Sequence, residues 1–267
     1  RFAGIDLARA MTIMGMVFGI APAIAPTIGS TILHFGSWHW IFIGLAAFGL
    51  YTLIGAGTVK ESHPAEKRTD HGILDAFRTY IEIIKVREFL IPVATVCSGS
   101  MLLFGYIASS PEIFMGHYKL SSTAFGLLFG LNSVGLIVAG QVNLKLLPKF
   151  GIAGMLKVFT RIQIISAVLV LITCLMHASL WLLYPPFMVA MGSMIILFAN
   201  NMTLAMTPFA HRAGSAAALT GFLQTFSAAA VAALLAAFKV DASFKMGFTI
   251  MIGSTFAFAL VRLRSRT

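Results

Sequence analysis

The amino-acid sequence predicts an all-α membrane protein with about eight transmembrane helices. Of its 267 residues, 58% are hydrophobic and only 10% are charged, whereas a soluble globular domain carries roughly 25% charged residues. The hydrophobic residues form runs of about 20 residues, which is the length of helix that crosses the hydrocarbon core of a bilayer. These runs are continuous and lack the alternation of apolar and polar residues that transmembrane β-strands require. The spans are therefore predicted to be helices.

The eight predicted spans follow one another with one long interruption. In chain order they cover residues 11–33, 40–59, 89–109, 123–142, 155–176, 180–200, 213–238 and 244–261. The interruption lies between the second and third spans, so it divides the chain into two spans followed by six. We therefore expect three units, which are residues 1–59, residues 60–88 and residues 89–267.

The segments between the spans carry most of the basic residues, and their distribution predicts the orientation of the chain. The net charge is +10, and the nineteen Lys and Arg residues form short clusters between the hydrophobic runs. Sixteen of them fall on one side of the predicted membrane, and Lys119, Lys239 and Lys245 fall on the other. Because basic segments remain in the cytoplasm, both ends of the chain are expected there. The clusters form no continuous basic face, so no nucleic acid is expected as a partner.

The segment 60–88 has six acidic and six basic residues, and its second half has the pattern of an amphipathic helix. Apolar residues recur at helical spacing, and charged residues occupy the other faces. The apolar positions are Ile73, Leu74, Phe77, Ile81 and Ile84. Such a helix is expected to lie on the cytoplasmic surface of the membrane as part of a linker.

The sequence contains no arrangement of residues that predicts catalysis or metal binding. Cys97 and Cys174 lie in separate hydrophobic runs, which predicts buried small side chains rather than a disulfide or a zinc site. The seven histidines are scattered, and no metalloprotease, nucleophile-elbow or phosphate-loop motif is present. We therefore expect a protein that is not an enzyme and that uses no metal and no cofactor.

The first span contains a run of prolines and small residues. Pro22 and Pro26 lie four positions apart, and each removes a backbone donor, which is expected to bend the helix. Ala25 and Gly29 would allow a neighbouring helix to approach closely. On these grounds alone, plain helix packing explains the run, since proline and glycine are common in membrane helices.

This run resembles the antiporter motif on the fifth helix of the major facilitator superfamily, in the form found in Bcr/CflA drug/proton antiporters. The motif is Gly-Pro-x-x-Gly-Gly with small residues upstream. Alanine before the proline is similar to the Bcr/CflA form, whereas Ser30 departs from the second glycine. Residues 104–111 and 200–224 also resemble this group. The antiporter-motif helix then comprises Ala21, Pro22, Ala25, Pro26, Gly29 and Ser30.

The resemblance covers the whole chain and implies both a fold and a function. The eight spans would correspond to helices 5 to 12, with the last two helices of the N-terminal bundle in residues 1–59 and a six-helix C-terminal bundle in residues 89–267. The chain begins with Arg1 rather than Met, so four helices are expected to precede it. The implied function is proton-coupled efflux of drugs or other small molecules by alternating access, in a bacterial inner membrane. The partners would be the lipid bilayer, a small-molecule substrate and protons. A solute symporter of the same fold and an eight-helix scaffold without transport are the alternatives.

The basic loop 140–157 lies where the superfamily has a second cytoplasmic loop motif. It shares Gly140, Lys145, Lys149 and Gly151 with that motif but lacks its acidic residue. We therefore expect this loop to anchor the chain on the cytoplasmic side rather than to act in gating.

Transport in this fold requires a cavity near the middle of the membrane, lined by a few polar or aromatic groups. The candidates are four amides and three large apolar side chains inside the spans: Asn132, Asn200, Asn201, Gln224, Met101, Phe104 and Phe129. Hydrogen bonds between helices would also explain the amides, and helix packing would also explain the apolar residues.

The eight spans contain no acidic residue, although a proton antiporter requires a titratable group within the membrane. Glu112 lies near an outer membrane face, beside Pro111, and is expected to be solvated there, so it is not a convincing proton-coupling group. The coupling carboxylate is therefore expected on helices that precede Arg1.

Overall fold

The computed structural model describes residues 4–58, 73–237 and 240–265. In these residues the regular structure is entirely helical, so the predicted all-α membrane fold is confirmed. The helices are α1 (Gly4–Phe35), α2 (His39–Thr58), α3 (Ile73–Ile84), α4 (Arg87–Pro111), α5 (Ser122–Leu175), α6 (Leu180–Met206), α7 (Ala213–Ala237) and α8 (Ala242–Ser265). A π-helical segment, Glu112–His117, continues α4, and a 3-10 segment, Thr207–Arg212, joins α6 to α7.

Local side-chain contacts set the starts of two of these helices. The Oγ atom of Ser121 accepts a hydrogen bond from the backbone N–H of Ala124 at 3.2 Å, at the first turn of α5. Asp241 Oδ1 accepts from the backbone N–H groups of Ser243 and Phe244 at 2.9 and 3.2 Å, at the first turn of α8. Because the first N–H groups of a helix have no partner within the helix, such caps stabilise its beginning.

Six helices within the described residues are long and apolar enough to cross a membrane: His39–Thr58, Arg87–His117, Ser122–Leu175, Leu180–Phe209, Ala213–Ala237 and Ala242–Arg264. The third of these, α5, has 54 residues, and its two arms coincide with the predicted spans 123–142 and 155–176. The remaining predicted span, 11–33, lies in α1, which has 32 residues, although the side chains in the middle of α1 lie outside the described set.

The predicted loop 140–157 is not a loop, and this part of the sequence-based prediction is wrong. Helical backbone continues on both sides of Gly151, which alone departs from it with φ 62° and ψ 172°. The chain therefore changes direction at Gly151 alone, whereas the sequence predicted a loop of eighteen residues. So short a turn is possible because residue 151 is a glycine, which readily adopts this combination of φ and ψ.

Replacing Gly151 by alanine is expected to destabilise the protein by about 1–3 kcal/mol, which is the cost of holding a residue with a Cβ atom in this region. A Cβ atom at this position would meet no atom within 4 Å, so the loss would come from the backbone and not from crowding. Thermal unfolding of the purified variant in detergent measures it. Gly130→Ala is the control, because Gly130 is helical and equally uncrowded. It is expected to be neutral or to stabilise by up to about 1 kcal/mol, and equal losses in both variants would contradict the argument.

The turns at one end of the bundle are joined by a hydrogen bond. The hydroxyl of Tyr118, which follows the π-helical segment, donates to the backbone carbonyl of Ala178 at 2.7 Å. Ala178 lies in the turn between α5 and α6. Burial raises the pKa of Tyr118 above its usual value, so the hydroxyl keeps its proton at neutral pH and remains a donor.

The core of the described structure lies among α4, α5, α6 and α8. Its largest apolar cluster joins these four helices around Tyr106, Phe187 and Met246, all of them almost completely buried. α1 packs on α5 and α6. By contrast, α2 has no buried residue. Trp38 and Trp40, at its start, are more than half exposed, as is common for aromatic residues at a membrane interface.

The predicted amphipathic helix is present as α3. It packs through Ile83, which is fully buried against Phe89 of α4 and Phe209 of the 3-10 segment. Glu82 also forms a salt bridge of 2.9 Å with Arg212. Phe77 and Ile81 are exposed, while the side chains of Ile73 and Leu74 lie outside the described set. The placement of this helix on the membrane surface stays a prediction, and so does the division of the chain at residues 60–88.

Candidate substrate cavity

A cavity of about 500 Å³ lies among the middle turns of α1, α4, α5, α6, α7 and α8. Its wall is mainly apolar, with Phe104 from α4 and Met194 and Phe198 from α6 as the largest side chains. Cavities of several hundred Å³ with apolar walls and a few polar groups are typical of small-molecule sites. The polar residues that line it are Thr95, Ser98, Ser100, Gln163, Gln224 and Thr225.

Small and hydroxyl-bearing residues of α4 form one wall of the cavity. Thr95, Ser98 and Ser100 are all buried, and each hydroxyl donates to a carbonyl of its own helix, at Ile91, Thr95 and Val96 respectively. Since each hydroxyl proton is already used, these groups offer only oxygen lone pairs to a ligand. Gly99 keeps the wall open, because a Cβ atom there would lie 3.1 Å from Met194 Cγ.

Gln163, in the second arm of α5, also lines the cavity. Only 1% of this residue is exposed, and its Oε1 atom has no hydrogen-bond partner among the described residues. Gln163 was not predicted from the sequence, although an amide inside the predicted span 155–176 was the same signal that identified the other candidates. The hydroxyl residues of α4 were missed as well, since serine and threonine are common in membrane helices.

Of the seven cavity candidates, Phe104 and Gln224 line this cavity. The described lining residues do not include Met101, Phe129, Asn132, Asn200 or Asn201. Of these five, Met101 is partly buried on α4 and the other four are buried among the helices. The structure therefore brings two of the predicted residues together and places the others in packing contacts.

Two of the predicted amides take part in hydrogen bonding between or within helices. Asn200 of α6 donates to Asn143 Oδ1 at 2.8 Å, and Asn143 of α5 donates to Thr12 Oγ1 of α1 at 2.7 Å. All three residues are 0% exposed. We call this chain of hydrogen bonds the Thr12–Asn143–Asn200 network. Asn201 instead donates to the carbonyl of Leu197 in its own helix at 2.9 Å.

Phe129 belongs to an aromatic cluster rather than to the cavity wall. Its ring stacks on Tyr106 with a centroid distance of 5.1 Å, and Tyr106 also contacts Phe187 at 4.6 Å. Such pairs stabilise helix packing by more than their buried area alone. Near this cluster in the chain, Asn132 is 5% exposed, and its Oδ1 atom has no partner among the described residues.

The helix with the proline-rich run forms part of the cavity through Ala25. The side chains of Ala21, Pro22, Pro26 and Ser30 lie outside the described set. At Gly29, a Cβ atom would meet no described atom within 4 Å, so the expected close helix approach is not seen there. Close approaches occur nearer the start of α1, where a Cβ atom at Gly15 would lie 3.3 Å from Phe198 Cδ1 and one at Gly140 would clash with Met16.

Glu112 lies in the π-helical segment at the end of α4, where its side chain is exposed. It does not line the cavity, and no other acidic side chain among the described residues does. The described cavity wall is therefore uncharged.

The comparisons with known proteins reported below agree on one family of membrane transporters. The family profile of the Major Facilitator Superfamily matches residues 2–233. The chain is 31% identical to the uncharacterized MFS-type transporter YdgK of Bacillus subtilis, over 98% of this chain and 67% of that protein. It is 27% identical to the bicyclomycin resistance protein homolog of Haemophilus influenzae, over 92% of this chain and 62% of that protein. It is also 28% identical to the chloramphenicol resistance protein CraA of Acinetobacter baumannii, over 57% of this chain and 36% of that protein.

These relatives have names that describe transporters and resistance proteins and not enzymes, in agreement with the sequence-based expectation. The chain spans about two thirds of the length of the first two relatives. The match to the family covers most of the chain, and the helical membrane fold agrees with it. The chain belongs to the Major Facilitator Superfamily of membrane transporters.

Proposed function

We propose that this protein exports drugs or other small molecules across a bacterial inner membrane by alternating access, driven by protons. The observation that carries the proposal is the cavity of about 500 Å³ among the middle turns of six helices. Its apolar wall of Phe and Met side chains suits molecules of varied shape, because such side chains repack around different ligands. The names of the bicyclomycin and chloramphenicol resistance relatives support a drug as the cargo.

The packing of α1 supports a conformation that is closed on one side of the membrane. Near its start, Ala8 and Thr12 are fully buried. Nearer its end, Ala25, Ile28 and Phe35 are exposed. The positive-inside rule assigns the start of α1 to the cytoplasm, so these buried contacts would close the cavity on the cytoplasmic side.

Proton coupling rests on the resemblance of the run at residues 21–30 to an antiporter motif. The uncharged cavity wall means that a coupling carboxylate is not among the described lining residues. Glu112 is exposed and does not line the cavity, so it is a poor candidate. A symporter of the same fold would instead bring its substrate into the cell together with protons. A membrane scaffold would transport no substrate.

Bacteria that lack their major exporters and express this gene are expected to grow at several-fold higher concentrations of chloramphenicol or bicyclomycin than cells with an empty vector. The variant Gly99→Leu should lose this protection, because a side chain at Gly99 enters the cavity against Met194. Gly130→Leu is the matched control, since Gly130 has open space around it, and it should protect as the wild type does. Membrane levels of each variant are measured by immunoblot.

Addition of a proton ionophore to loaded cells should stop export if protons drive it. Sensitivity of the wild-type cells equal to that of the empty vector, across a broad compound panel and at good expression, would contradict export. Protection that persists without a proton gradient would contradict the coupling alone.

A further inference from the structure

Gln163 is a buried amide that helix packing does not explain. It lies 1% exposed on the cavity wall, and its Oε1 atom accepts no hydrogen bond from the described residues. Apolar residues surround this part of the cavity, among them Leu136 and Leu197. A buried carbonyl oxygen without a partner costs free energy, so a donor that reaches it gains more than it would in water.

Three of the four other buried amides among the described residues form at least one side-chain hydrogen bond. Asn143 and Asn200 bond to each other across two helices, and Asn201 bonds within its own helix. The side-chain oxygens of Asn132 and Asn200 also have no described partner, but neither residue lines the cavity. Among the described residues that line the cavity, Gln163 is the amide whose side-chain oxygen is both buried and without a partner, whereas Gln224 is only partly buried.

The remainder of the wall determines what kind of molecule could provide the donor. Thr95, Ser98 and Ser100 use their hydroxyl protons within α4 and so present acceptors. No charged side chain among the described residues lines the cavity, and an apolar wall penalises a charged ligand. The wall therefore matches an uncharged, mostly apolar molecule that carries O–H or N–H groups.

We propose that Gln163 is a specificity-determining residue whose Oε1 atom accepts a hydrogen bond from an uncharged substrate bearing a hydroxyl or N–H donor. The inference rests on the proposed function, because it takes the cavity to be the binding site of the transported molecule. It goes further in naming the chemical class of that molecule and the atom that recognises it.

The test compares two probes of nearly the same shape, 2-naphthol and 2-methylnaphthalene, which differ by a hydroxyl in place of a methyl group. Binding to the protein in lipid nanodiscs is measured by equilibrium dialysis, and binding to empty nanodiscs is subtracted. The wild type should bind 2-naphthol about tenfold more tightly than 2-methylnaphthalene, since a site with a buried polar group rejects the analogue that leaves it unpaired. Gln163→Met, which keeps the length of the side chain, should bind both probes with equal affinity.

Gln141→Met is the control, because Gln141 lies on the exposed side of the first arm of α5 and does not line the cavity. It should keep the tenfold preference. Equal affinities of the wild type for the two probes, or a preference that survives in Gln163→Met, would overturn the role of Gln163. Failure of the wild type to bind even 2-methylnaphthalene would instead contradict the apolar binding cavity and with it the proposed function. If the Gln163 variant does not fold, equal affinities of the wild type for the two probes would still overturn the role of Gln163.

Discussion

Gly253→Val is expected to prevent the protein from folding stably in the membrane. Gly253 of α8 lies against the backbone of α4, and a Cβ atom there would lie 2.8 Å from the backbone oxygen of Ser98 and would also clash with Leu102. Ser98 is part of the regular backbone of α4, so its carbonyl cannot move aside without disturbing that helix. The expected loss is about 3 kcal/mol or more, because overpacking here cannot be relieved by a change of rotamer. The yield of monodisperse protein after detergent extraction and its melting temperature measure this loss.

The matched control is Gly130→Val, which introduces the same β-branched residue into a helix where no atom lies within 4 Å of the new Cβ. It should change the free energy of unfolding by less than about 1 kcal/mol, the scale of helix propensity. A normal yield of Gly253→Val, or an equal loss in both variants, would mean that α4 and α8 do not pack as closely as described.

Asn143→Leu is expected to loosen the contact of α1 with α5 and α6. Leucine is similar in size to asparagine but removes both hydrogen bonds of the Thr12–Asn143–Asn200 network that Asn143 makes. Each hydrogen bond between membrane helices contributes about 1 kcal/mol, so a total loss of about 2 kcal/mol is expected. If the protein works by alternating access, the variant should also spend less time with this interface closed. Thermal unfolding measures the loss of stability, and cysteine labelling near the start of α1 measures the opening.

Asn201→Leu serves as the control for this experiment. Asn201 is adjacent to Asn200 and equally buried, but its hydrogen bond stays within α6. Its replacement should leave labelling at α1 unchanged. In a double-mutant cycle, Thr12→Val and Asn143→Leu should be coupled by about 1 kcal/mol. Additive effects would contradict a direct bond between the two residues.

Most of the fold could be predicted from the sequence because a bilayer imposes simple rules on length and polarity. Runs of about 20 apolar residues had to be helices, and the amphipathic spacing after residue 72 identified α3. The corner at Gly151 could not be predicted in the same way. Lys145, Lys149 and Lys157 suggested a polar loop, but long basic side chains can reach water from a helical backbone, so a charged segment need not interrupt a helix.

The candidate site was less predictable, since the spans are apolar on all sides. In a helix of a soluble protein, polar residues identify the face that contacts water. In these transmembrane helices all faces are apolar, so the residue types do not show which face contacts the rest of the protein. An amide in such a span can equally face a cavity, as Gln163 and Gln224 do, or a neighbouring helix, as Asn200 does. The choice depends on rotation and crossing of the helices, and these are set by close contacts at residues such as Gly105 and Gly253.

Under the proposed function, the hydroxyl groups of α4 affect how the selectivity of this protein can evolve. Thr95, Ser98 and Ser100 form their hydrogen bonds inside one helix, so they do not hold α4 to its neighbours. Replacing one of these serines by alanine would alter the lining of the cavity without removing a hydrogen bond between helices. If the cavity is the substrate site, substitutions that change which compounds are recognised can therefore occur on this wall one residue at a time.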